Sequence, residues 1–578
     1  MRLRRWLVLS VAFFCLHAQA ESKHQLSQQA NNWQQAWWLV SQNPEQTKPV
    51  WLVGDEKALP NQVPIGSLWK LFVYHYSVDK GLPDKLYQCH AGKQAAQGDA
   101  YCCSQDETIG RDVALARSCG AYFEPKRLQI DAKDWQYYWQ KQAPSVAWLH
   151  NLESIKPQTQ SSVADILTAL KGFSPNVVGQ ARQALLGRLL QPQWSALLPD
   201  MGSAYRFKTF TWQHPQYAGA YFGGGAGWLA DGTAFWLGGA GTSREVLLKA
   251  APIIAQRLPV VEHAQQQFDE ACVSVHYFKR YPIAKVSRLG QADVLVKNGL
   301  LRGQYVVKFS NGNVLPIKSN GELTLSAVEN KPQLWGKLGV QEYIARVLDR
   351  EADATKTEAA RALSIAARSY LYQNAQFHQA CWQIDDDSRM QRVSASPASE
   401  AAKAVTAMTE DLALTGSPIY YHQNKSATNT LNWQVAVKQA EQGDDYLAIL
   451  HEAYPNASWR LSNQMQQCKR LPSAEQYVQK NLAEVQRKIG STAGLESVNG
   501  LKICQLDYGN PYADQQTMSM FVRDWRSEND RITLWHEYLH LALRFHPNGA
   551  NEELIETTAQ QLAKNLSNQA DKKIRLAQ

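Results

Sequence analysis

The stretch LGVQEYIARVLDREADATKTEAARALSIAARSYLY, residues 338–372, carries two apolar stripes at helical spacing, joined by a polar turn from Ala352 to Thr357. Apolar residues recurring three and four apart turn one face of each helix toward a core, so the segment reads as a packed helix pair. In its first half Tyr343, Val347 and Glu351 stand at i, i+4 and i+8, which places them on one face. Glu351 ends that helix with Asp349 close in sequence. Burial and a neighbouring like charge raise the pKa of such a carboxyl and fit it for general acid work. Periodicity alone reads Glu351 equally well as an exposed carboxylate at a helix end.

Outward from this pair, the preceding residues alternate as strands do: VSVHYF from Val273, VLVKNGLLRGQYVVKF from Val294 and LPIKSNGELTL from Leu315. The wording YIARVLDREAD followed by EAARALSIAARSYL resembles the core of the SpoIID family, and Asp385-Asp386-Asp387, Met408-Thr409, Ile419-Tyr420 and Asp445-Tyr446-Leu447 follow in the family's order. The resemblance runs from about residue 272 to 465 and implies a mixed α/β domain acting as a lytic transglycosylase on glycan strands that lack stem peptides. It implies Glu351 as the catalytic acid, protonating the glycosidic oxygen while the sugar's own 6-hydroxyl closes an anhydro ring. That variant needs one carboxyl rather than a spaced pair. Arg346 and Ala352 stand where the family carries Gly and Met.

Nearer the N-terminus, Pro64-Ile65-Gly66 leads into Ser67-Leu68-Trp69-Lys70. A Ser and a Lys three residues apart on one helix share a face, so the amine can take the hydroxyl proton and make Ser67 an acylating nucleophile. The bland alternative is a capping Ser beside a solvated Lys. With Ser118-Cys119-Gly120 and Lys208-Thr209-Phe210 downstream, the segment from about 40 to 260 resembles the penicillin-binding protein and serine β-lactamase superfamily. That resemblance implies a β-lactamase/transpeptidase-like α/β sandwich with Ser67, Lys70, Ser118 and Lys208 in the catalytic positions. Gly120 replaces the family's Asn and Phe210 its Gly, departures that favour a domain that binds cell-wall peptide over an active acyltransferase. The glycine-rich block from Tyr221 to Gly241, with GGGAGW and DGT, reads as strands joined at hairpin turns.

Toward the C-terminus His536-Glu537-Tyr538-Leu539-His540 interrupts an apolar-striped helix. Two histidines one turn apart can share Zn²⁺, and the intervening Glu537 can serve as general base. Buried core or surface histidines are the plain alternative. The pattern resembles HExxH zinc metallopeptidases, SprT-like ones in spacing if His546 is the third ligand. Glu552, after Asn551, is the competing ligand in the manner of gluzincins; His546 is preferred narrowly. Glu556 reads as a surface carboxylate or, one helical turn beyond Glu552, as a group that orients a ligand.

The whole chain has 578 residues, 44% hydrophobic and 19% charged, enough to bury several cores and unlike a disordered tail. Arg2, Arg4 and Arg5 precede an apolar run from Trp6 to Leu16, and Ala18-Gln19-Ala20 offers a small-x-small cleavage site. Residues 1–20 therefore read as a signal peptide, with the mature chain starting at Glu21. Removing those three arginines lowers the net charge from +8 to +5, too diffuse for nucleic acid. No later stretch approaches the roughly 20 apolar residues of a membrane span. Eight cysteines remain after Cys15 leaves, an even number that suits disulfides in a secreted protein while leaving their connectivity open.

The expectation is thus an α+β multidomain, periplasmic or secreted chain: residues 21–262 penicillin-binding-protein-like, 263–465 SpoIID-like, and 466–578 a small, mainly α zincin-like domain. As a whole it resembles the YfaQ-type family of secreted bacterial proteins, which supplies no activity. The implied partner is peptidoglycan, through its glycan or its stem peptide, and the implied cofactor is zinc. Two alternatives stay open: a zinc peptidase positioned by two non-catalytic domains, and a non-enzymatic cell-wall scaffold.

Overall fold

The computed structural model describes residues 37–90, 102–103, 108–191, 193–213, 220–260, 272–295, 298–328, 331–378, 381–415, 418–461, 468, 470–489, 498–505, 511–514, 518–522, 524–544, 546 and 552–577. The expected signal peptide and both expected boundaries, at 262/263 and 465/466, lie outside them. The chain divides into two compact units, Met1–Phe268 and Asp269–Gln578, and both mix helix with sheet.

In the first unit five antiparallel strands lie in the order Val50–Val53, Trp37–Gln42, Ala234–Ala240, Tyr221–Trp228, Arg206–Gln213. GGGAGW is not the hairpin turn expected from its glycines. Gly223 to Trp228 are the body of a central strand, and only Asp231-Gly232-Thr233 turns, with Gly232 at φ +82°. The glycines are there because backbone comes too close for a side chain: a Cβ on Gly224 would stand 1.9 Å from the Leu237 carbonyl oxygen. One sheet face, with Phe210, Phe222, Trp228 and Trp236, packs on a helical layer around Trp69–Asp79, a helix whose residues Trp69 to Ser77 are all buried.

The second unit is built on eight strands in the order Gln291–Leu295, Ile283–Arg288, Gly299–Phe309, Val314–Val328, Lys331–Gly339, Cys272–Tyr277, Cys381–Asp385, Gln376–His378. All pair antiparallel except Cys272–Tyr277 with Cys381–Asp385. The helix pair is Val340–Glu351 and Thr357–Asn374. Tyr343, Ile344, Val347, Ala367 and Leu371 bury against Val273, Val275, Trp382 and Ile384 of the sheet, the apolar stripes meeting the core as their spacing requires. Arg346, which stands at the family's Gly, is buried at 1% exposure yet paired with Glu322 at 2.7 Å and Glu342 at 2.6 Å.

The last segment carries a helix Pro472–Ile489, strands Lys502–Gln505, Tyr512–Asp514 and Ser519–Val522, and helices Glu528–Ala542 and Glu552–Ala577. The three strands make this segment less purely helical than the expected mainly α domain. Tyr512 and Phe521 join the core of the preceding sheet, stacked on each other at 4.5 Å. Disulfides pair Cys89 with Cys103, Cys102 with Cys119, Cys272 with Cys381 and Cys468 with Cys504. No helix among the described residues is long and apolar enough to cross a membrane.

Candidate functional site

Glu351 is the last residue of its helix and half-buried. A ten-residue strap, Asp385 to Ser394, closes over it. Asp386 accepts the Val393 N–H at 3.0 Å, Asp387 accepts the Arg389 N–H at 2.8 Å, and the Ser394 N–H reaches the Arg346 carbonyl at 3.1 Å. The strap thereby delivers the Arg392 N–H to Glu351 Oε1 at 2.6 Å. The Tyr421 hydroxyl lies beside the Glu351 carboxyl and helps to hold its pKa down, and Gln423 donates to the Glu351 carbonyl.

Burial pushes the Glu351 pKa up; these hydrogen bonds and the Arg392 charge pull against it, and the Asp386 carboxylate adds a push of its own. The net direction is upward, toward a proton-carrying acid. The like charge is therefore Asp386 and not the expected Asp349. Asp349 instead accepts the Ser399 N–H and hydroxyl, both at 2.6 Å, at the start of the helix Glu400–Met408. The helical spacing put Tyr343 on the face of Glu351, but it gave no role beside that acid to Tyr370, Gln391 or Tyr421, because they lie on three further segments.

In the first unit Ser67 lies in a short 3₁₀ turn, Gly66–Leu68, and Lys70 in the first turn of the helix that follows, so the two do not share one α-helix as expected. They still meet: Lys70 Nζ is 3.3 Å from Ser67 Oγ, 3.1 Å from Ser118 Oγ and 2.6 Å from the Ser118 carbonyl oxygen. Burial, with Arg188 second, lowers the Lys70 pKa to about 8, within reach of accepting a proton near neutrality. Lys208 is fully enclosed and depressed well below the usual amine value, chiefly by burial, and donates to the Thr209 carbonyl at 2.7 Å. A Cβ on Gly120 would stand 3.6 Å from Lys70 Cε, so the missing Asn side chain leaves the space over that amine open. Phe210 fills space instead. Its Cβ would lie 3.1 Å from one built on Gly66, and its ring stacks on Trp236 at 6.1 Å.

On the helix Glu528–Ala542, the Nε2 atoms of His536 and His540 stand 3.1 Å apart. Two ligands of one tetrahedral zinc at about 2.0–2.1 Å would be separated by about 3.3 Å, so this pair fits such an ion. The other face of His536 is held by Glu556, whose carboxylate lies 2.9 Å from Nδ1. That is the orienting contact a ligating imidazole needs. Glu537 is buried on the same helix. His546 lies in the turn beyond it, its N–H on the Leu543 carbonyl. Among the described residues no third His, Cys, Asp or Glu joins the pair; the one such trio is Cys102, Cys103 and Cys119, which are in disulfides. Glu552 opens the following helix, and its side chain and Asn551 lie outside the described residues.

Comparison with known proteins adds the following. A family profile described as "Predicted secreted protein (DUF2300)" matches residues 95–216 and 429–548, and the SpoIID profile, "Stage II sporulation protein", matches residues 329–441. A curated relative, "Uncharacterized protein YfaQ" of Escherichia coli (strain K12), is 40% identical over 509 residues, 87% of this chain and 91% of its own. Among solved structures, the BPu1 β-lactamase covers 40% of this chain and 94% of its own at 11% identity and a TM-score of 0.27. A peptidoglycan glycosyltransferase from Burkholderia ambifaria covers 42% and 96% at 12% identity and a TM-score of 0.30. At those scores the structural likeness is slight and adds nothing to the fold described above.

Proposed function

The chain belongs to the family of secreted proteins that includes YfaQ, and we propose that it remodels peptidoglycan, cutting the glycan with Glu351. One observation carries the reading. A helix-end carboxyl is half-buried beneath a backbone strap, and its environment favours the protonated form. The glycosidic oxygen receives that proton as the bond to the anomeric carbon breaks. The ionised carboxyl, held by the Arg392 N–H and the Tyr421 hydroxyl, then takes the proton of the sugar's 6-hydroxyl as its oxygen closes the anhydro ring, so the acid is regenerated without water. The match of residues 329–441 to the SpoIID profile supports this assignment.

The test is digestion of intact and peptide-stripped peptidoglycan by the mature protein and by Glu351→Gln, with products read by mass spectrometry. Anhydro-sugar ends that vanish in the variant are expected. Unchanged glycan with the wild-type protein would sink the proposal.

A second activity is favoured by the His536–His540 pair. These residues would hold zinc through Nε2, with Glu556 fixing the His536 ring and the third ligand coming from His546 or Glu552. Zinc there supplies Lewis-acid polarisation of a peptide carbonyl. Glu537 would take the proton of the attacking water and pass it to the leaving amine. Stoichiometric zinc lost on His540→Ala and stem-peptide cuts lost on Glu537→Ala are expected; protein without zinc at equilibrium would leave the two upstream sites as the whole of the function. For the first unit we infer a penicillin-binding-protein-like module that binds cell-wall peptide, since Gly120 and Phe210 stand where acyl transfer in that superfamily uses Asn and Gly.

A further inference from the structure

A chain of side-chain hydrogen bonds runs through the core of the second unit to Glu351. The Tyr343 hydroxyl donates to Gln391 Oε1 at 2.7 Å, and Gln391 Nε2 lies 3.0 Å from the Tyr421 oxygen. The Tyr421 hydroxyl in turn stands beside the Glu351 carboxyl and favours its ionised form. Phenols can donate or accept, so such a chain has no direction of its own. Here one group cannot reverse. Gln391 Nε2 also lies 3.0 Å from the Ala367 carbonyl oxygen, which only accepts. That contact fixes which end of the amide is nitrogen, and its second hydrogen then points at the Tyr421 oxygen. With its oxygen accepting, Tyr421 has its own proton left for Glu351.

We propose that Gln391 is a positioning residue that sets the polarity of this chain and thereby holds the Tyr421 hydroxyl proton on the Glu351 carboxyl. Gln391 is fully buried on the strap that also supplies the Arg392 N–H, so one ten-residue segment aims two donors at the same acid. The consequence is a carboxyl whose ionised form is stabilised from two sides within a desolvated site. It can hold a proton for the leaving oxygen and still serve as base in the closing step. The inference rests on Glu351 being the reacting group.

The groups that bear on Glu351 are Asp386 and Arg392 of the strap, Tyr421 beside it, and Tyr343 and Tyr370 of the helix pair. Loss of the tyrosine donation leaves burial and Asp386 less opposed, so the Glu351 midpoint rises. Carbon-13 NMR titration of glutamate-δ-labelled full-length protein reads this directly, with the Glu351 signal assigned by difference from Glu351→Gln. Gln391→Met and Tyr421→Phe are each expected to raise the midpoint by about one pH unit, and the double variant no further than either alone.

The basic limb of the pH profile for glycan cleavage moves up by the same amount. A midpoint unmoved in both variants, or additive shifts in the double, overturns the inference. If Gln391→Met fails to fold, Tyr421→Phe against wild type decides it. Shifted midpoints in a protein that leaves glycan intact would reject the cleavage reading and keep the hydrogen-bond polarity, so the two failures are distinct.

Discussion

Glu351 and His536 are both reactive-type side chains whose surroundings, more than their identity, decide what they can do. Burial holds the Glu351 proton above the usual carboxyl range. In a general-acid role the rate falls as pH rises through that raised pKa, so the basic limb of the wild-type glycan-cleavage profile is expected above pH 4.5, the ordinary glutamate value. Glu351→Gln should lower turnover by roughly 10²–10⁴-fold at every pH. For the histidine pair, Glu556→Ala should weaken zinc binding by roughly 10–100-fold through loss of the contact to His536 Nδ1, as read by competition with a chromogenic chelator; an unchanged affinity would make Glu556 a surface residue. Glu351 itself was legible because its helix carries a recognisable pattern. Asp386, Gln391 and Tyr421 were not, since they arrive from 35 to 70 residues downstream and no local periodicity ties them to a helix end. Asp349 misled because closeness in sequence was read as closeness of charge, whereas the helix sends its carboxylate toward Ser399.

Strands and helices divide along similar lines. The two helices of residues 340–374 followed directly from their apolar stripes, but the glycine-rich strand did not. Glycine is a turn residue by default, and only pairing on both sides shows that Gly224 is needed for close backbone approach. Gly224→Ala should therefore destabilise the first unit by at least about 1–3 kcal/mol through overpacking, visible as a lower thermal midpoint with the second unit unaffected. Among the described residues the strand Arg206–Gln213 stands at the end of its sheet, the kind of position to which an extended peptide can add. Phe210 lies on that strand at 1% exposure. Phe210→Gly is expected to cost about 3–5 kcal/mol of stability and at the same time raise covalent labelling of Ser67 by a fluorescent penicillin. Labelling that stays at the wild-type level would mean that the missing Asn at Gly120, and not the phenyl ring, silences the serine.

Across the whole molecule, eight cysteines promised four bridges without saying which, and that silence has a physical source: spacing does not determine which chain segments a fold brings together. The two bridges of the first unit cross at neighbours in sequence, Cys89 with Cys103 and Cys102 with Cys119, and the sulfurs of Cys102 and Cys103 stand 3.6 Å apart. Export threads the chain from its N-terminus, so Cys89 meets Cys102 before Cys103. A bridge closed in that order would be wrong by a single residue and would leave Cys103 and Cys119 to close a second wrong one. Correct pairing would then be reached by exchange between adjacent sulfurs. Maturation of this protein should accordingly depend on a disulfide isomerase and not merely on an oxidase. Peptide mapping of protein exported from cells lacking the isomerase should find Cys89 joined to Cys102; the native pairs in equal yield from both cell types would mean that folding brings Cys119 to its partner before oxidation begins.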